Sequence, residues 1–262
     1  MRIARFVAPG SASSVADIRW GVVEGTGAPT VAAIADHPFG PLRFTADRWA
    51  LDDVRLLSPI LPSKVLAVGK NYADHVKEMG GDEPPKTPII FLKPSTSVIG
   101  HGDLIRLPPN STRVEHEAEL AVVMARPAKD VPRDHALDYI LGFTCGNDVT
   151  ARDQQAADVQ YTRSKGYDSF CPIGPWIETV LDSSDLRLTA SVNGEVRQDA
   201  RTSDMVHDVP TLIEFMSGVM TLLPGDVILT GTPAGVGPIK DGDSVSVEVE
   251  GIGVLTNTVR CQ

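Results

Sequence analysis

Glycine and proline divide this sequence into short runs that are rich in apolar and β-branched residues. The 23 glycines and 20 prolines of the 262-residue chain are scattered as breaks between such runs. Because turns favour these two residues and strands are short, the pattern predicts a mainly β fold with a few helices, of the α+β class. Short strands are predicted at 2–8, 17–24 and 29–35, around turns at 8–14 and 24–29.

The chain divides into two predicted regions. Residues 36–60 have weak periodicity, and we interpret them as the connection between a small N-terminal β region, residues 1–60, and the main domain over residues 61–262. In that domain, the predicted strands and one hairpin lie at 64–69, 88–93, 138–148, 187–200, 226–231 and 244–259. The hairpin 187–200 carries Asn-Gly at its turn, the strongest short-range signal for this motif.

One amphipathic helix is predicted after Pro210, and a shorter helical segment is predicted at 149–159. The apolar residues of the first helix recur at helical spacing, at Leu212, Phe215, Met216, Val219, Met220 and Leu223. Such a stripe is typical of a helix that packs against a core, so we interpret it as core and not as a cofactor site.

The composition excludes several classes of function. The net charge is −10 and no basic run compensates for it, which argues against nucleic acid as the main partner. The N-terminus lacks the apolar core of a signal peptide, and no segment approaches the length of a membrane span. Cys145, Cys171 and Cys261 favour reduced structural thiols over a disulfide framework or a nucleophile. We therefore predict a cytoplasmic protein.

The run VEHEAELAVV, residues 114–123, alternates like a strand but carries Glu115, Glu117 and Glu119 at every second position. Alternate residues of a strand share a face, so the three carboxylates are predicted to lie side by side. Like charges on a partly buried face raise one another's pKa unless something positive compensates for them. A hard divalent cation is one explanation, since oxygen ligands select Mg²⁺, Mn²⁺ or Ca²⁺. A solvated edge strand is the other.

Asp148 is a candidate third ligand, because it lies where the strand 138–148 gives way to a helix. The alternative is that Asp148 caps that helix. Arg152 and Gln155 follow on one face of the helix, and Lys165 follows in a loop. Their cations suit a substrate carboxylate or an enolate, although each alone is most often a surface charge.

The segment GKNYADHVKEMGG, residues 69–81, contains His75 and Glu78 three residues apart on a predicted short helix. A carboxylate at this spacing can orient the imidazole and hold its charge, which makes a competent general base. Flanking glycines predict a mobile segment that orders over a ligand. A solvated surface helix is the alternative. The glycine-rich loop TGTPAGVG, residues 230–237, lacks the P-loop pattern, and we interpret it as a wall that offers Thr232 and backbone N–H groups.

Several motifs, in this order, resemble the fumarylacetoacetate hydrolase family: VGKNYADH, PIIFLKPSTSVIG, EHEAELAVVM, GFTCGNDVTARD, KGYDSFCPIGPW, VNGEVRQ and PGDVILTGTPAGVG. They run from about Lys64 to Val259. Residues 1–60 resemble the N-terminal region of bacterial members known as 2-hydroxyhepta-2,4-diene-1,7-dioate isomerases. The resemblance implies curved mixed β-sheets rolled around a metal site, and a homodimer.

The resemblance also implies the roles of the candidate residues. It implies that Mg²⁺, with Mn²⁺ as the alternative, is held by Glu117, Glu119 and Asp148. Glu115 falls where the family varies, so we expect it near the mouth of the site and not on the ion. It implies a general-base dyad on a lid, formed by His75 and Glu78. It implies positions around the substrate for Lys165, Arg152 and Gln155.

These roles predict C–C bond cleavage in short 2-oxo acids, by acylpyruvate hydrolysis or oxaloacetate decarboxylation, through a metal-bound pyruvate enolate. Three carboxylates and one Mg²⁺ would leave a local charge of about −1. The second hypothesis is a 2-hydroxyhepta-2,4-diene-1,7-dioate isomerase of aromatic catabolism. The third is a non-catalytic, metal-dependent acid-binding protein, which would have no use for the His75 and Glu78 pair.

Overall fold

The structure is a computed structural model that describes residues 1–10 and 17–262. Its first ten strands are β1 (Arg2–Val7), β2 (Ile18–Glu24), β3 (Thr30–Ile34), β4 (Phe44–Ala50), β5 (Arg55–Leu56), β6 (Val65–Gly69), β7 (Ile89–Lys93), β8 (Val98–Ile99), β9 (Leu104–Leu107) and β10 (Val114–His116). The next ten are β11 (Ala118–Met124), β12 (Ile140–Asn147), β13 (Thr150–Ala151), β14 (Cys171–Glu178), β15 (Arg187–Val192), β16 (Glu195–Arg201), β17 (Val227–Leu229), β18 (Gly237–Pro238), β19 (Ser244–Val249) and β20 (Gly253–Cys261).

Helices are few and short. The α-helices are α1 (Ala73–Glu78), α2 (Arg152–Ala157), α3 (Thr162–Lys165) and α4 (Val209–Val219). Segments of 3₁₀ helix lie at Leu51–Asp53, Ser95–Ser97, Arg133–Tyr139 and Thr202–Asp204. The predicted mainly β class is therefore confirmed. None of the described helices is long and apolar enough to cross a membrane.

One sheet of twelve strands forms the frame of the molecule, in the order β4-β3-β2-β1-β14-β12-β11-β17-β6-β7, with β5 on β1 and β8 on β14. The N-terminal strands extend this sheet, because β1 pairs antiparallel with β14. A boundary at residue 60 stays a prediction, since strands on both sides of it share one sheet. At the centre, all seven residues of β11 are buried, as expected for a strand covered on both faces.

Two smaller sheets complete the fold, with the orders β13-β10-β18 and β16-β15-β19-β20-β9. The predicted hairpin is present as β15 and β16, and its turn residues have the positive φ angles of a type I′ turn, 53° at Asn193 and 81° at Gly194. Helix α4 lies over the main core, into which Leu212 and Met216 pack.

The structure differs from the sequence-based expectations at three places in the bounds of its elements. Residues 36–60 contain β4 and β5, and not only a connection; β4 is an exposed edge strand, so it lacks apolar alternation. Helix α4 ends at Val219, and Leu222 then enters the core in an extended bridge while Leu223 stays exposed. The helical segment 149–159 begins as the short strand β13. The predicted turn at 8–14 lies largely outside the described residues.

The acidic run is also divided. It forms two strands, β10 and β11, which belong to different sheets and meet at Glu117. At this residue the backbone N–H turns to the Asn147 side chain, and the carbonyl accepts from the Asp148 amide. The change of sheet places a kink, and with it a carboxylate, at the point where β12 ends.

Candidate active site

The predicted residues lie around one open cleft of about 1010 Å³. Its walls come from the end of β6, the junction of β10 and β11, helices α1 to α3 and the loop after β17. The predicted residues that line it are His75, Glu117, Arg152, Gln155, Lys165 and Thr232. The others lie directly beside these: Glu78, Glu119 and Asp148.

Three buried carboxylates form the centre of the site. Glu117, Glu119 and Asp148 each offer an oxygen within 4.8 Å of the other two. They are only 1–4% exposed, which excludes a solvated acidic edge. Asp148 does not cap the next helix, because α2 begins at Arg152 and its N-cap residue is Ala151.

The oxygen-only donor set fits a hard divalent cation such as Mg²⁺ or Mn²⁺. Glu119 is the clearest sign, because it accepts one hydrogen bond, from the Gly231 amide at 2.6 Å, and forms no ion pair within the described part of the chain. Burial, together with the charges of Asp148 and Glu117, holds the pKa of Glu119 well above its usual range. A bound cation would remove that penalty.

Cationic side chains compensate for the other carboxylates. Lys165 Nζ lies 2.8 Å from Glu117 Oε2 and 2.5 Å from Asp148 Oδ2. Arg152 donates to Glu117 Oε1 at 2.6 Å. Burial alone would raise the pKa of Glu117, but the charges of Lys165 and Arg152 outweigh it and hold this pKa below its usual range. Glu117 and Glu119, which belong to one motif, therefore have pKa values that are shifted in opposite directions.

Glu115 does not lie at the mouth of the site, as the sequence suggested. It is 1% exposed and is held by Arg152 at 2.6 Å and Arg113 at 2.6 Å. Through Arg152, which bonds both Glu115 and Glu117, this third glutamate of the alternating run braces the centre without joining it. Because Glu115 is buried, the expectation that it lies near the mouth of the site is wrong.

The charge balance of the cluster also differs from the value of about −1 obtained from the carboxylates and one Mg²⁺. The four carboxylates face four cationic side chains, the two sets being Glu115, Glu117, Glu119 and Asp148, and Lys93, Arg113, Arg152 and Lys165. With all of them ionised the cluster is neutral, so a divalent cation would leave about +2. Such a site attracts an anionic substrate.

His75 and Glu78 pair as their spacing predicted. The His75 Nδ1 and Glu78 Oε2 atoms are 3.0 Å apart on α1. Glu78 Oε1 accepts a second hydrogen bond, from the Gly235 amide at 2.9 Å, which fixes the carboxylate between α1 and the loop after β17. The helix ends in a Schellman motif at Gly80, whose φ is 79°. Among the described residues, this arrangement leaves Nε2 of His75 as the ring nitrogen without a carboxylate partner.

Arg152 and Gln155 have unequal freedom to bind a ligand. The three donor groups of Arg152 are engaged with Glu115, Glu117 and Gln155. Because Gln155 Oε1 accepts from Arg152 at 2.5 Å, the Gln155 amide nitrogen is the group left to donate into the cleft. Arg152 therefore acts mainly as a brace, and Gln155 is the better candidate for substrate contact.

Lys165 and Thr232 are similarly engaged. The Lys165 ammonium reaches three acceptors, the third being Thr150 Oγ1 at 2.9 Å. The Thr232 hydroxyl donates to the Ala118 carbonyl and accepts from Gln198, both within 2.9 Å. A substrate oxygen would have to replace one acceptor of Lys165, whereas Thr232 keeps only a lone pair and its methyl group for a ligand.

Sequence reasoning missed two buried residues of this region. Lys93, at the end of β7, forms an ion pair with Asp148 and donates to the Val149 carbonyl at 3.3 Å. A lysine that closes an apolar strand directly before Pro94 was an available signal. Gln198, on β16, bonds the Ala118 amide and His116 through Oε1. Its contacts span some eighty residues of sequence, and no local pattern indicates them.

Comparison with known proteins agrees with this geometry. The family model described as "Fumarylacetoacetate (FAA) hydrolase C-terminal" matches residues 64–260, and a model described as "Rv2993c-like, N-terminal" matches residues 1–59. The chain belongs to the fumarylacetoacetate hydrolase family. The first of these matches covers most of the chain and includes every candidate site residue.

Three relatives within the family are named for different activities. The chain is 55% identical to a 5-carboxymethyl-2-hydroxymuconate delta-isomerase from Mycobacterium smegmatis, with a TM-score of 0.92 and coverage of 100% of both chains. It is 43% identical over 196 residues to a mitochondrial oxaloacetate decarboxylase of Dictyostelium discoideum, covering 72% of this chain and 87% of that one. It is 32% identical to a maleylpyruvate hydrolase from Sphingobium sp. SYK-6, solved with manganese(II) and pyruvate, with a TM-score of 0.79 and coverage of 100% and 99%. The chain is thus an enzyme of this family.

Proposed function

We propose that the protein is a Mg²⁺-dependent enzyme that cleaves a C–C bond in short 2-oxo acids, by hydrolysis of an acylpyruvate or decarboxylation of oxaloacetate. The observation that carries the proposal is the convergence of a buried carboxylate triad with a histidine–glutamate dyad in one cleft. A protein that only bound an acid would need the triad but not the dyad. Relatives named as a decarboxylase and as a hydrolase support the same choice.

In the proposed mechanism Glu117, Glu119 and Asp148 hold the cation. When bound, Mg²⁺ supplies Lewis-acid stabilisation of the negative charge that develops on the substrate oxygens. The chain's own residues position the substrate: the Gln155 amide donates to its distal end, and the Lys165 ammonium shares the charge of the developing enolate. The positive balance of the site favours an anionic 2-oxo acid.

His75 acts as the general base in the hydrolytic reaction. Its Nε2 takes a proton from water, the hydroxide oxygen bonds to the distal carbonyl carbon, and the C–C bond breaks with its electron pair passing to the enolate of pyruvate. Glu78 holds the charge that His75 gains, through the 3.0 Å contact with Nδ1. The enolate then takes up a proton. With oxaloacetate, loss of CO₂ gives the same enolate without the water.

The isomerase remains a second candidate, because the chain matches a delta-isomerase over its whole length at 55% identity. In that reaction His75 would move a proton along a 2-hydroxydienoate and no C–C bond would break. Manganese remains an alternative to magnesium, since the hydrolase relative was solved with manganese(II). A homodimer in the cytoplasm is part of the same proposal and rests on the family resemblance and on the three free cysteines.

The deciding experiment measures pyruvate release from oxaloacetate and from acetylpyruvate, side by side, with Mg²⁺ and then with a chelator. Metal-dependent pyruvate from one substrate, above the rate of the metal alone, supports C–C cleavage and identifies the branch. The absence of pyruvate from both, with folding and metal binding intact, overturns the proposal in favour of the isomerase. A direct assay of proton transfer on a 2-hydroxydienoate would then follow.

A further inference from the structure

The loop that carries Thr232 also forms a wall of a second cleft, which has a volume of about 1000 Å³. This second cleft shares no lining residue with the catalytic cleft. Its polar lining side chains are His116, Asn193, Arg197, Lys240 and Asp243, and its backbone wall is Gly235–Pro238. None of the roles proposed for catalysis uses these side chains.

A fixed glutamine sets the hydrogen position on His116. The Gln198 amide nitrogen donates to the Pro233 carbonyl and to Thr232 Oγ1, each at 2.8 Å. Because a carbonyl can only accept, this contact fixes the orientation of the amide, and Gln198 Oε1 must face the Ala118 amide and His116 Nδ1. The hydrogen of a neutral His116 ring therefore lies on Nδ1.

The other ring nitrogen of His116 has no partner in the described part of the chain. Nε2 is buried, the residue is 0% exposed, and a Cβ added to Gly237 in the cleft wall would lie 3.8 Å from this atom. A buried polar atom without a hydrogen bond is costly, so structures rarely leave one without a partner. In the neutral ring Nε2 is an acceptor, and its partner must donate a hydrogen.

The charges around the second cleft favour an anion. The Lys240 ammonium has no partner among the described residues, and Arg197 makes one exposed pair with Glu195, at 2.9 Å. Asp243 is the one acid that lines the cleft, and its two oxygens already accept from the Lys240 amide at 2.7 Å and from Asn193 Nδ2 at 2.8 Å. An incoming anion would meet two cations with donors to offer.

We propose that the second cleft binds a small oxyanion that carries a hydroxyl hydrogen, such as monohydrogen phosphate or an α-hydroxycarboxylate. The Gly237 backbone, which lies beside Nε2 of His116, moves aside, the O–H group donates to this nitrogen, and the charged oxygens face Lys240 and Arg197. The occupant would also contact the wall that reaches the catalytic lid, because the Gly235 amide is the donor that holds Glu78. Occupancy is thereby linked to the loop that positions the catalytic dyad.

Two matched pairs of anions test the hydroxyl requirement. The Mg²⁺-loaded protein is titrated near neutral pH by calorimetry with phosphate and sulfate, and then with lactate and propanoate. The two anions of each pair have similar shapes and similar charged oxygens. Only the first anion of each pair, phosphate or lactate, can donate a hydrogen to His116. We expect phosphate and lactate to bind at least about tenfold more tightly than their partners, the effect of one buried acceptor satisfied or left unsatisfied.

A variant assigns the binding to the second cleft. Lys240→Gln should weaken phosphate and lactate binding, whereas Lys129→Gln, on an exposed lysine elsewhere, should leave it unchanged. Equal affinity for phosphate and sulfate, no binding at millimolar concentration, or binding that Lys240→Gln does not change would each overturn the proposal. Because the readout is binding, failure here leaves the proposed reaction untouched. A preference for phosphate over lactate, or the reverse, distinguishes the two sources of the same chemistry.

Discussion

Two buried histidines of this enzyme line neighbouring clefts and have different partners. His75 directs Nδ1 to the carboxylate of Glu78, whereas His116 directs Nδ1 to the amide of Gln198. A carboxylate stabilises the imidazolium form that a general base must pass through. An amide oxygen gives no such charge, and burial lowers the pKa of His116 below its usual value. The partner, and not the histidine itself, decides which ring can act as a base.

The partners differ in sequence separation as well. Glu78 is three residues from His75 on one helix, while Gln198 is 82 residues from His116 and arrives on another sheet. Both members of the first pair lie on α1, so this pair depends on the local geometry of one helix. The second ties the backbone of β11, at Ala118, to the loop at Thr232. We therefore expect changes at the first pair to affect rate and changes at the second to affect stability.

The largest effect should come from Glu119→Gln, which leaves both histidine pairs intact and alters only the cation site. Turnover should fall to the metal-free background, a loss beyond the ~100-fold typical of residues that only support a ligand. In wild-type protein, Mg²⁺ at a hundred times its Kd should stabilise the fold by about 2.7 kcal/mol, and the variant should lose this response. Enzyme assays and thermal melts with and without Mg²⁺ check this.

The difference in melting temperature between Glu119→Gln and the wild type, measured without metal, tests the same assignment a second time. Without cation, Glu119→Gln should melt at or above the wild-type temperature, because it removes a buried carboxylate whose ionised form burial and its neighbours disfavour. Glu248→Gln, which alters an exposed carboxylate of β19, is the matched control and should change neither measurement. Near-normal turnover of Glu119→Gln would contradict its assignment as a ligand.

The next effect is that of His75→Ala, which should lower kcat by about 10²–10⁴-fold, the usual contribution of a general base. Because His75 does not belong to the carboxylate triad, Mg²⁺ binding and the stability response to Mg²⁺ should persist. His135→Ala, which alters an exposed histidine, serves as the control. Steady-state kinetics with oxaloacetate and acetylpyruvate provide the measurement. If decarboxylation alone survives, water activation is the step that needs His75.

A smaller effect, on stability more than on rate, is expected for Gln198→Met. Methionine keeps the approximate volume but leaves the Ala118 amide, the Pro233 carbonyl and His116 Nδ1 without their partner. Each buried group left unsatisfied costs about 1–3 kcal/mol, so the melting temperature should fall clearly while Mg²⁺ still binds. Arg197→Met, at an exposed neighbour on β16, is the control. An unchanged melting temperature would show that this network is not needed to hold the two loops.

Sequence reasoning was most effective where interactions are local. The His75 and Glu78 pair, the alternating glutamates and the Asn-Gly turn each lie within a few residues, so helix or strand geometry alone predicts them. It failed where a partner is distant: Lys93 and Gln198 are brought in by other strands, and Lys93 is one of the cations that the predicted charge balance left out.

Sequence reasoning also failed to predict an edge strand and a change of sheet. Strand β4 has exposed residues on both faces, so it gives no alternating signal. The division of the acidic run at Glu117 depends on where β12 ends, which is a property of the partner strand. The family resemblance grouped Glu117, Glu119 and Asp148, which do lie around one centre, but it did not indicate which side chains neutralise them.

The effect that is smallest at neutral pH concerns the thiols, because it appears only at high pH. Burial raises the pKa of Cys145 and of Cys171 from the usual 9.0 to about 12. A group that is neutral when protonated and has a raised pKa in the folded state stabilises the fold fully below its unfolded pKa. Stability should therefore decline as pH rises from about 9 towards 12, when only the unfolded chain ionises these thiols. Tyr72, whose pKa burial also raises, adds to the same trend.

Alkylation at mildly alkaline pH isolates the thiols from the other groups that titrate there. Native protein should react at Cys261 alone, which is exposed, and protein unfolded in urea should react at all three of its cysteines. Cys261→Ser should then show no rapid reaction until it unfolds. Rapid modification of Cys171 in the native state would mean that β14, and with it the ion pair of Lys93 and Asp148 nearby, opens more readily than its complete burial implies.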